Sequence, residues 1–437
     1  MSERIMNDSP AIAEAVAAQR DFAAGLFDDL RALSIDEPGV TRDPYGEGEN
    51  KAHRQFALVA RECGFEVSTD FAANSFATLP GRDRAAPRIV IGSHLDSVPH
   101  GGNFDGAAGV VAGLTAMRAL RSLGVEATCD LTTMAIRAEE SMWFRVSYLG
   151  SRAALGTLPT SALDATRVDT GRTLADQMRE CGADPECVAR GDASLAPESV
   201  AAYAELHIEQ APSLLVDGLP MAVCTAVPGN FRYPNARVIG EYNHVGLPRR
   251  FRRDAVTGAV DVASYLDDVW QANEAAGRPM AVTIGQFFTD PEQHSLTHVP
   301  GEVRFSLDVR CYDEAQLASL EADLLDALAD IEARRGVRID LGPRTGVPVG
   351  TMAPELIAAL TESARRQDVP SILLGSPGSH DAAAFAAAGV PTAMILLRNA
   401  NGSHNPDEAM EIDDFMAGTT VLTDWLFNAV SDAASLR

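Results

Sequence analysis

The run "RIVIGSHLDS", residues 88–97, constrains this fold more than any other stretch. It is a short apolar segment that ends abruptly in a histidine and an aspartate, the pattern of a strand buried on both faces. A turn, "VPHGGNFDG", leads into "AAGVVAGLTAMRALRSLG", which reads as a helix closed by Gly124. "CDLTTMAIRAEES" then reads as another strand that ends in acids. Strands alternating with helices predict an α/β sheet covered on both faces. Sites in such sheets form beyond the carboxyl ends of the strands, where "GSHLDS" and "RAEES" both fall.

The remaining segments extend this plan. Residues up to about 60 read as helices, with three-to-four-residue apolar spacing in "AIAEAVAAQRDFAAGLFDDLRAL" and "NKAHRQFALVARECG". "FEVSTDFAANSFATLPG" looks strand-like. After "AELHIEQ" the character changes: "NARVIGEYNHVG", "MAVTIGQFF" and "GEVRFSLDVRC" read as strands, and two long helical patterns separate them. Few strands with long helices on one side predict a small α+β sandwich. From "MAPELIAALTESARRQ" the helix–strand alternation resumes. The expected organisation is a discontinuous α/β domain, residues 1–215 and 346–437, with a second domain, residues 216–345, inserted into it.

At 437 residues the chain exceeds one ordinary core. A formal charge of −25 excludes nucleic acid as an expected partner, because phosphates would be repelled. Among the 36 basic residues only Lys51 is a lysine, which fits a coding bias towards arginine. No run reaches the ~20 apolar residues of a membrane span, and "MSERIMNDSPAIAEA" lacks a signal-peptide layout. The expectation is a soluble, cytoplasmic enzyme. Six scattered cysteines fit reduced, buried thiols, since "CGADPEC" has no usual zinc spacing.

Nine histidines are present, and several stand beside acids. His94 and Asp96 form H-x-D at a strand end, and Asp105 follows after two glycines that let the chain turn back. Glu139 and Glu140 directly end the apolar strand "LTTMAI". His207 lies between acids in "AELHIEQ", and His404 lies in "NGSHNPDE". Burying adjacent carboxylates at a strand mouth is costly unless a cation or proton offsets their charge. His94, Asp105, Glu140, His207 and His404 together offer a ligand set for two divalent ions ~3.5–4 Å apart, sharing one carboxylate. Imidazole and carboxylate suit zinc, with manganese, cobalt or nickel as alternatives.

"GSHLDSVPHGGNFDGAAGVVAGL", "EES…YLGSRA", "ELHIEQ", "NH.G…RRDA", "VPGEVRFSLDVR", "SHDAA" and "GSHNPDEAM", in this order, resemble the N-carbamoyl-L-amino-acid hydrolases. Their close relatives are β-ureidopropionase and allantoate amidohydrolase, within a clan of dinuclear aminoacylases and exopeptidases. The resemblance implies a metal-binding α/β catalytic domain interrupted by a lid and dimerisation domain. It makes Asp105 the bridging carboxylate, with His94 and His207 on one ion and Glu140 and His404 on the other. Glu139 is then the general base, moving a proton from a water shared by the ions to the leaving nitrogen. Asp96 would bond the second nitrogen of His94 and fix its tautomer.

The same resemblance makes His244 the lid histidine, which stabilises the oxyanion and in relatives comes from the partner subunit, so a homodimer is implied. Arg310 would grip a substrate carboxylate with two donors. Gln210 and His380 would line the pocket; a place at a helix N-terminus is an equal alternative for His380. The activity implied is hydrolysis of a linear C–N bond in an N-carbamoyl or related N-acyl amino acid. A dipeptidase or aminoacylase of the same clan, or a non-catalytic metal-binding relative, is the alternative.

The chain also departs from the pattern. Where relatives continue "AGTTPM..R.DA" after the lid histidine, it has "VGLPRRFRRDA", so Leu247 to Phe251 lack both threonines and gain arginines. Thr297 stands where relatives carry a substrate-contacting asparagine, and one hydroxyl cannot reproduce an amide's paired bonds. Ala211 replaces the glycine usual after "HIEQ".

Overall fold

From Ile89 to His94 every side chain is buried, so this strand can pair only inside a sheet with both faces covered. The computed structural model describes residues 2–431 and places it in an eight-stranded sheet. In chain order the strands are β1 (Glu66–Thr69), β2 (Ser75–Leu79), β3 (Arg88–His94), β4 (Leu131–Ile136), β5 (Val200–Ile208), β6 (Met221–Cys224), β7 (Ser371–Leu374) and β8 (Thr392–Leu397). Their spatial order is β1-β2-β4-β3-β5-β8-β6-β7. β3 runs parallel to β4 and β5, and β5 parallel to β8. β1–β2, β2–β4 and β6–β8 are antiparallel, so the sheet is mixed, as expected from the sequence.

Parallel pairing of β4, β3, β5 and β8 puts four carboxyl ends on one edge. Glu139 and Glu140 follow β4, His94 closes β3, His207 lies near the end of β5, and His404 follows β8. One topological fact therefore collects residues more than 300 positions apart in sequence.

The helix Ala107–Ser122 covers this sheet closely because its inward face is small. A Cβ on Gly109 would lie 2.5 Å from the Leu206 carbonyl oxygen, and one on Gly113 would lie 2.5 Å from Thr133 Oγ1. On the other face, Tyr203 of β5 stacks on Phe385 with ring centroids 3.7 Å apart. None of the described helices is long and apolar enough to cross a membrane.

The chain forms two compact units, residues 1–227 with 351–437, and residues 228–350. In the second, Glu302–Cys311 pairs antiparallel with Gly229–Ile239 and, on its other side, with Met280–Thr283 and Phe287–Thr289. Burial alternates along Glu302–Cys311, the signature of a sheet covered on one face. The cover is two helices, Ala255–Ala275 and Glu314–Arg335, whose Val262, Leu266, Leu320 and Leu324 join Phe231, Val238 and Phe305 in one core. Asp254 and Asp313 cap them by accepting backbone N–H bonds from Thr257 and Gln316.

Gly109→Ala tests the helix–sheet approach. Alanine normally stabilises a helix by up to ~1 kcal/mol over glycine, yet here its methyl meets backbone. The expected result in urea unfolding is a net loss of roughly 2 kcal/mol.

Candidate metal centre

Asp105 divides its two oxygens between two groups of side chains. Oδ1 lies 3.1 Å from His207 Nε2 and 3.4 Å from His94 Nε2. Oδ2 lies 3.5 Å from His404 Nε2, which is 3.2 Å from Glu140 Oε1. The residues named from sequence thus form two ligand groups that share Asp105. Glu205, His207 and His380 make a third, overlapping group.

The hydrogen bonds of its two histidines suit the first group to a cation. His207 Nδ1 faces the Ile208 carbonyl at 2.9 Å and donates to it, so Nε2 carries the lone pair and accepts from Gly106 N–H at 3.2 Å. His94 Nδ1 faces the Asp96 carbonyl oxygen at 3.1 Å, which leaves its Nε2 lone pair on the Asp105 side. Two lone pairs therefore face a buried carboxylate oxygen, Asp105 Oδ1, that has no hydrogen-bond donor. Such an arrangement needs a positive charge between its members. Proton affinity tells the same story: burial lowers that of His94, but Asp105 and Asp96 outweigh it and hold the imidazole well above its usual range. A divalent cation fits the same place and donor chemistry.

In the second group, Glu140 raises the pKa of His404 to about 9. Gln210 Nε2 donates to Asp105 Oδ2 at 2.7 Å, and Ser403 Oγ donates to the same oxygen. Gln210, expected at the substrate, is therefore placed against the shared carboxylate. Ala138, Gln210 and His404 have left-handed φ of 54°, 56° and 61°, a conformation that costs non-glycine residues of order 1 kcal/mol and concentrates at functional sites.

Asp96 does more than its expected task. Its Oδ1 lies 3.3 Å from His94 Nδ1, slightly farther than its own carbonyl oxygen. Its two carboxylate oxygens accept the N–H groups of Glu139 and Glu140, at 3.0 and 3.1 Å. The end of β3 thereby sets the backbone of the paired glutamates after β4. The Glu139 carboxylate accepts no hydrogen bond from the described residues; burial raises its pKa well above the ordinary value, and Glu140 adds to the rise. Such a group can take and return a proton.

Three further residues support the centre. Arg42 is completely buried; its Nε donates to the Leu95 carbonyl at 2.7 Å and its Nη groups to Asn103. Its backbone and Ser97 exchange two more bonds, so it laces both legs of the loop from His94 to Asp105. Glu408 accepts the N–H groups of Phe104 and Asp105 at 2.8 and 3.1 Å, and Gly102 leaves room for it: a Cβ there would lie 2.2 Å from its carboxyl carbon. Glu49 accepts from Ala138 N–H at 2.9 Å and pairs with buried Arg137 at 2.7 Å. Glu408 is visible in sequence four residues after His404, but nothing in "GVTRDPYGEGEN" marks Arg42.

His380 is buried at the N-cap of the helix Asp381–Ala387, with Nε2 2.6 Å from Ser376 Oγ and its ring 4.2 Å from that of His207. His244, Thr297 and Arg310 belong to the second unit. His244 pairs with His298 in a short two-stranded ladder, and Val245 N–H donates to the Thr297 carbonyl at 2.9 Å. Arg310 directs Nε and one Nη to Asp308, at 2.8 and 3.1 Å.

Arg42→Met keeps the volume of the stem and removes the lacing. Metal affinity measured by calorimetry is expected to fall 10–100-fold, the usual cost of losing support behind a ligand. Asp381 supplies a pH test. Burial, then Glu205, pushes it up to about 8, and its Oδ2 has no partner. The folded protein therefore keeps a proton that the unfolded chain releases near pH ~4. Stability falls as pH rises through this window, and the loss is complete above about 8. Asp381→Asn does not titrate; in urea unfolding of the metal-free protein at pH 9 it is expected to exceed the parent by on the order of 3 kcal/mol.

Comparison with known proteins agrees with this geometry. Residues 90–428 match the model of Peptidase family M20/M25/M40. The N-carbamoyl-L-amino acid amidohydrolase of Geobacillus stearothermophilus is 32% identical over 400 residues, covering 88% of this chain and 92% of that one. The allantoate amidohydrolase of Escherichia coli (strain K12) is 30% identical over 392 residues, covering 89% and 92%. The crystal structure of an amidase of the hydantoinase/carbamoylase family from Burkholderia multivorans superposes with a TM-score of 0.84 at 27% identity, covering 94% of this chain and 98% of that one. With two candidate ligand groups on the M20 fold and amidohydrolases as its relatives, the chain belongs to Peptidase family M20/M25/M40 and is a metal-dependent hydrolase.

Proposed function

We propose that this protein hydrolyses the linear C–N bond of an N-carbamoyl or related N-acyl amino acid. The observation that carries the reading is the division of Asp105 between two ligand groups, with the buried, unbonded Glu139 carboxylate next to Glu140. Two divalent cations bound by His94, Asp105, Glu140, His207 and His404 would polarise the scissile carbonyl and acidify a shared water. Zinc suits these ligands best, with manganese, cobalt or nickel as alternatives.

Glu139 takes a proton from the attacking water and delivers it to the leaving nitrogen. Asp96 holds both the His94 ring and the Glu139 backbone, so base and ligand keep a fixed relation. His244 would donate to the developing oxyanion and Arg310 would bind the substrate carboxylate, with Thr297, Gln210 and His380 shaping the pocket. In this reading the second unit, which carries His244, is a lid and dimerisation domain. His244, exposed on its short ladder, would serve the centre of a second copy of the chain. A carbamoyl substrate and one water yield the amino acid, ammonia and carbon dioxide.

The metal-loaded protein is to be incubated with N-carbamoyl, N-formyl and N-acetyl amino acids, with release of ammonia and amino acid followed separately. Amino acid with a carboxylate and no ammonia would identify an aminoacylase or dipeptidase instead. No turnover at two ions per subunit would remove the proposal. Glu139→Ala is expected to lower kcat by 10²–10⁴-fold with the metal content unchanged, whereas Glu140→Ala loses metal as well. Mixing Glu139→Ala and His244→Ala subunits is expected to restore turnover in mixed dimers; no recovery would place His244 in the centre of its own subunit.

A further inference from the structure

We propose that an arginine-lined recess in the second unit binds a small multivalent anion, phosphorylated or polycarboxylated. The recess has a volume of ≈ 1080 Å³ and draws six guanidinium groups from two short segments, residues 249–253 and 334–335. Of these, Arg249 and Arg250 lie in the segment Leu247 to Phe251, where the chain departs from the family pattern.

The charge of these groups is only partly met within the protein. Arg253 pairs with Glu241 at 2.7 Å, and Arg335 grips Asp261 with two bonds of 2.6 and 2.7 Å. Arg334 reaches the same Asp261 carboxylate at 3.4 Å. Asp254, the remaining acid of the recess, accepts the N–H groups of Val256 and Thr257 and is committed to capping its helix. Arg252 gives its Nε to the Leu247 carbonyl at 2.7 Å and an Nη to that of Val245, which are neutral acceptors.

Arg249 and Arg250 are exposed and make no ion pair among the described residues; Arg250 lies over the Phe251 ring, 4.6 Å from its centroid. Six cations thus meet three acids, an excess of positive charge on a chain whose net charge is −25. Like charges gathered without a counter-charge repel, and guanidinium forks match phosphate and carboxylate oxygens in paired bonds. The recess is far larger than a single phosphate, and Phe251, 56% exposed, offers an apolar face to the organic part of a ligand. None of these side chains is among those assigned to hydrolysis, so the site stands or falls independently of that activity.

Calorimetric titration of the metal-loaded full chain is done with inorganic phosphate and with tricarballylate at constant ionic strength. Acetate serves as the singly charged control. The expected result is one-to-one binding of phosphate or tricarballylate, the stronger of the two identifying the anion class, and no binding of acetate. The double variant Arg249→Ser/Arg250→Ser, whose side chains hold no internal ion pair, is expected to weaken that binding at least tenfold with metal content retained. Arg334→Glu, introduced in the other segment of the lining, is expected to act in the same direction. Binding unchanged in both variants would locate the anion at the metal centre and overturn the proposal. So would acetate binding as tightly as the multivalent anions, or absence of binding by either of them.

Discussion

Everything around the centre depends on one electrostatic imbalance. Asp96, Asp105, Glu139, Glu140, Glu205, Asp381 and Glu408 are all buried at or beside the carboxyl ends of the parallel strands. Arg42 and Arg137 are the buried guanidinium groups set among them. The sheet could not close over so many carboxylates in ionised form without more positive charge. Two partial answers follow: burial raises the proton affinity of Glu139, Asp381 and Glu408, and Asp105 and Asp96 raise that of the His94 imidazole. Metal ions would supply the rest, and the lone pairs that face Asp105 are suited to hold them. Metal bound at such a centre would be coupled to folding, because most of its candidate ligands are buried.

The first unit was legible in sequence because its signals are local. β3 and β4 are apolar runs ended by acceptor residues, and the rule that sites lie beyond parallel strand ends places His94, Asp105, Glu139, Glu140 and His207 together. His404 needed the resemblance as well, since its loop follows β8 and holds a left-handed φ that no periodicity announces. Asp96 was found, but its bonds to the backbone of Glu139 and Glu140 depend on the pairing of β3 with β4, which sequence does not specify.

Arg42 shows why the remainder was hidden. A lone arginine in a turn-rich segment reads as a solvated residue, and its burial arises only when Val40 bridges to Gly101 and brings Arg42 under the loop. Gln210, expected at the substrate, also donates to Asp105, a bond its sequence position does not announce. Arg310, expected to bind a carboxylate, also directs Nε and one Nη to Asp308, two residues away on the same strand. Each of these depends on which side chain arrives nearest in space, and composition carries no information about that.

The five candidate ligands and Glu139 all lie in the first unit, whereas the segment Leu247 to Phe251, Thr297 and Arg310 lie in the second. The two sets answer to different physical demands. In the first, moving one carboxylate disturbs a charge balance that its neighbours share. In the second, most of the relevant side chains are exposed or half-buried, and replacing one costs little stability. Sequence drift is thereby channelled: exposed side chains of the insertion can change at little cost, while the buried acids and imidazoles at the sheet edge tolerate little revision.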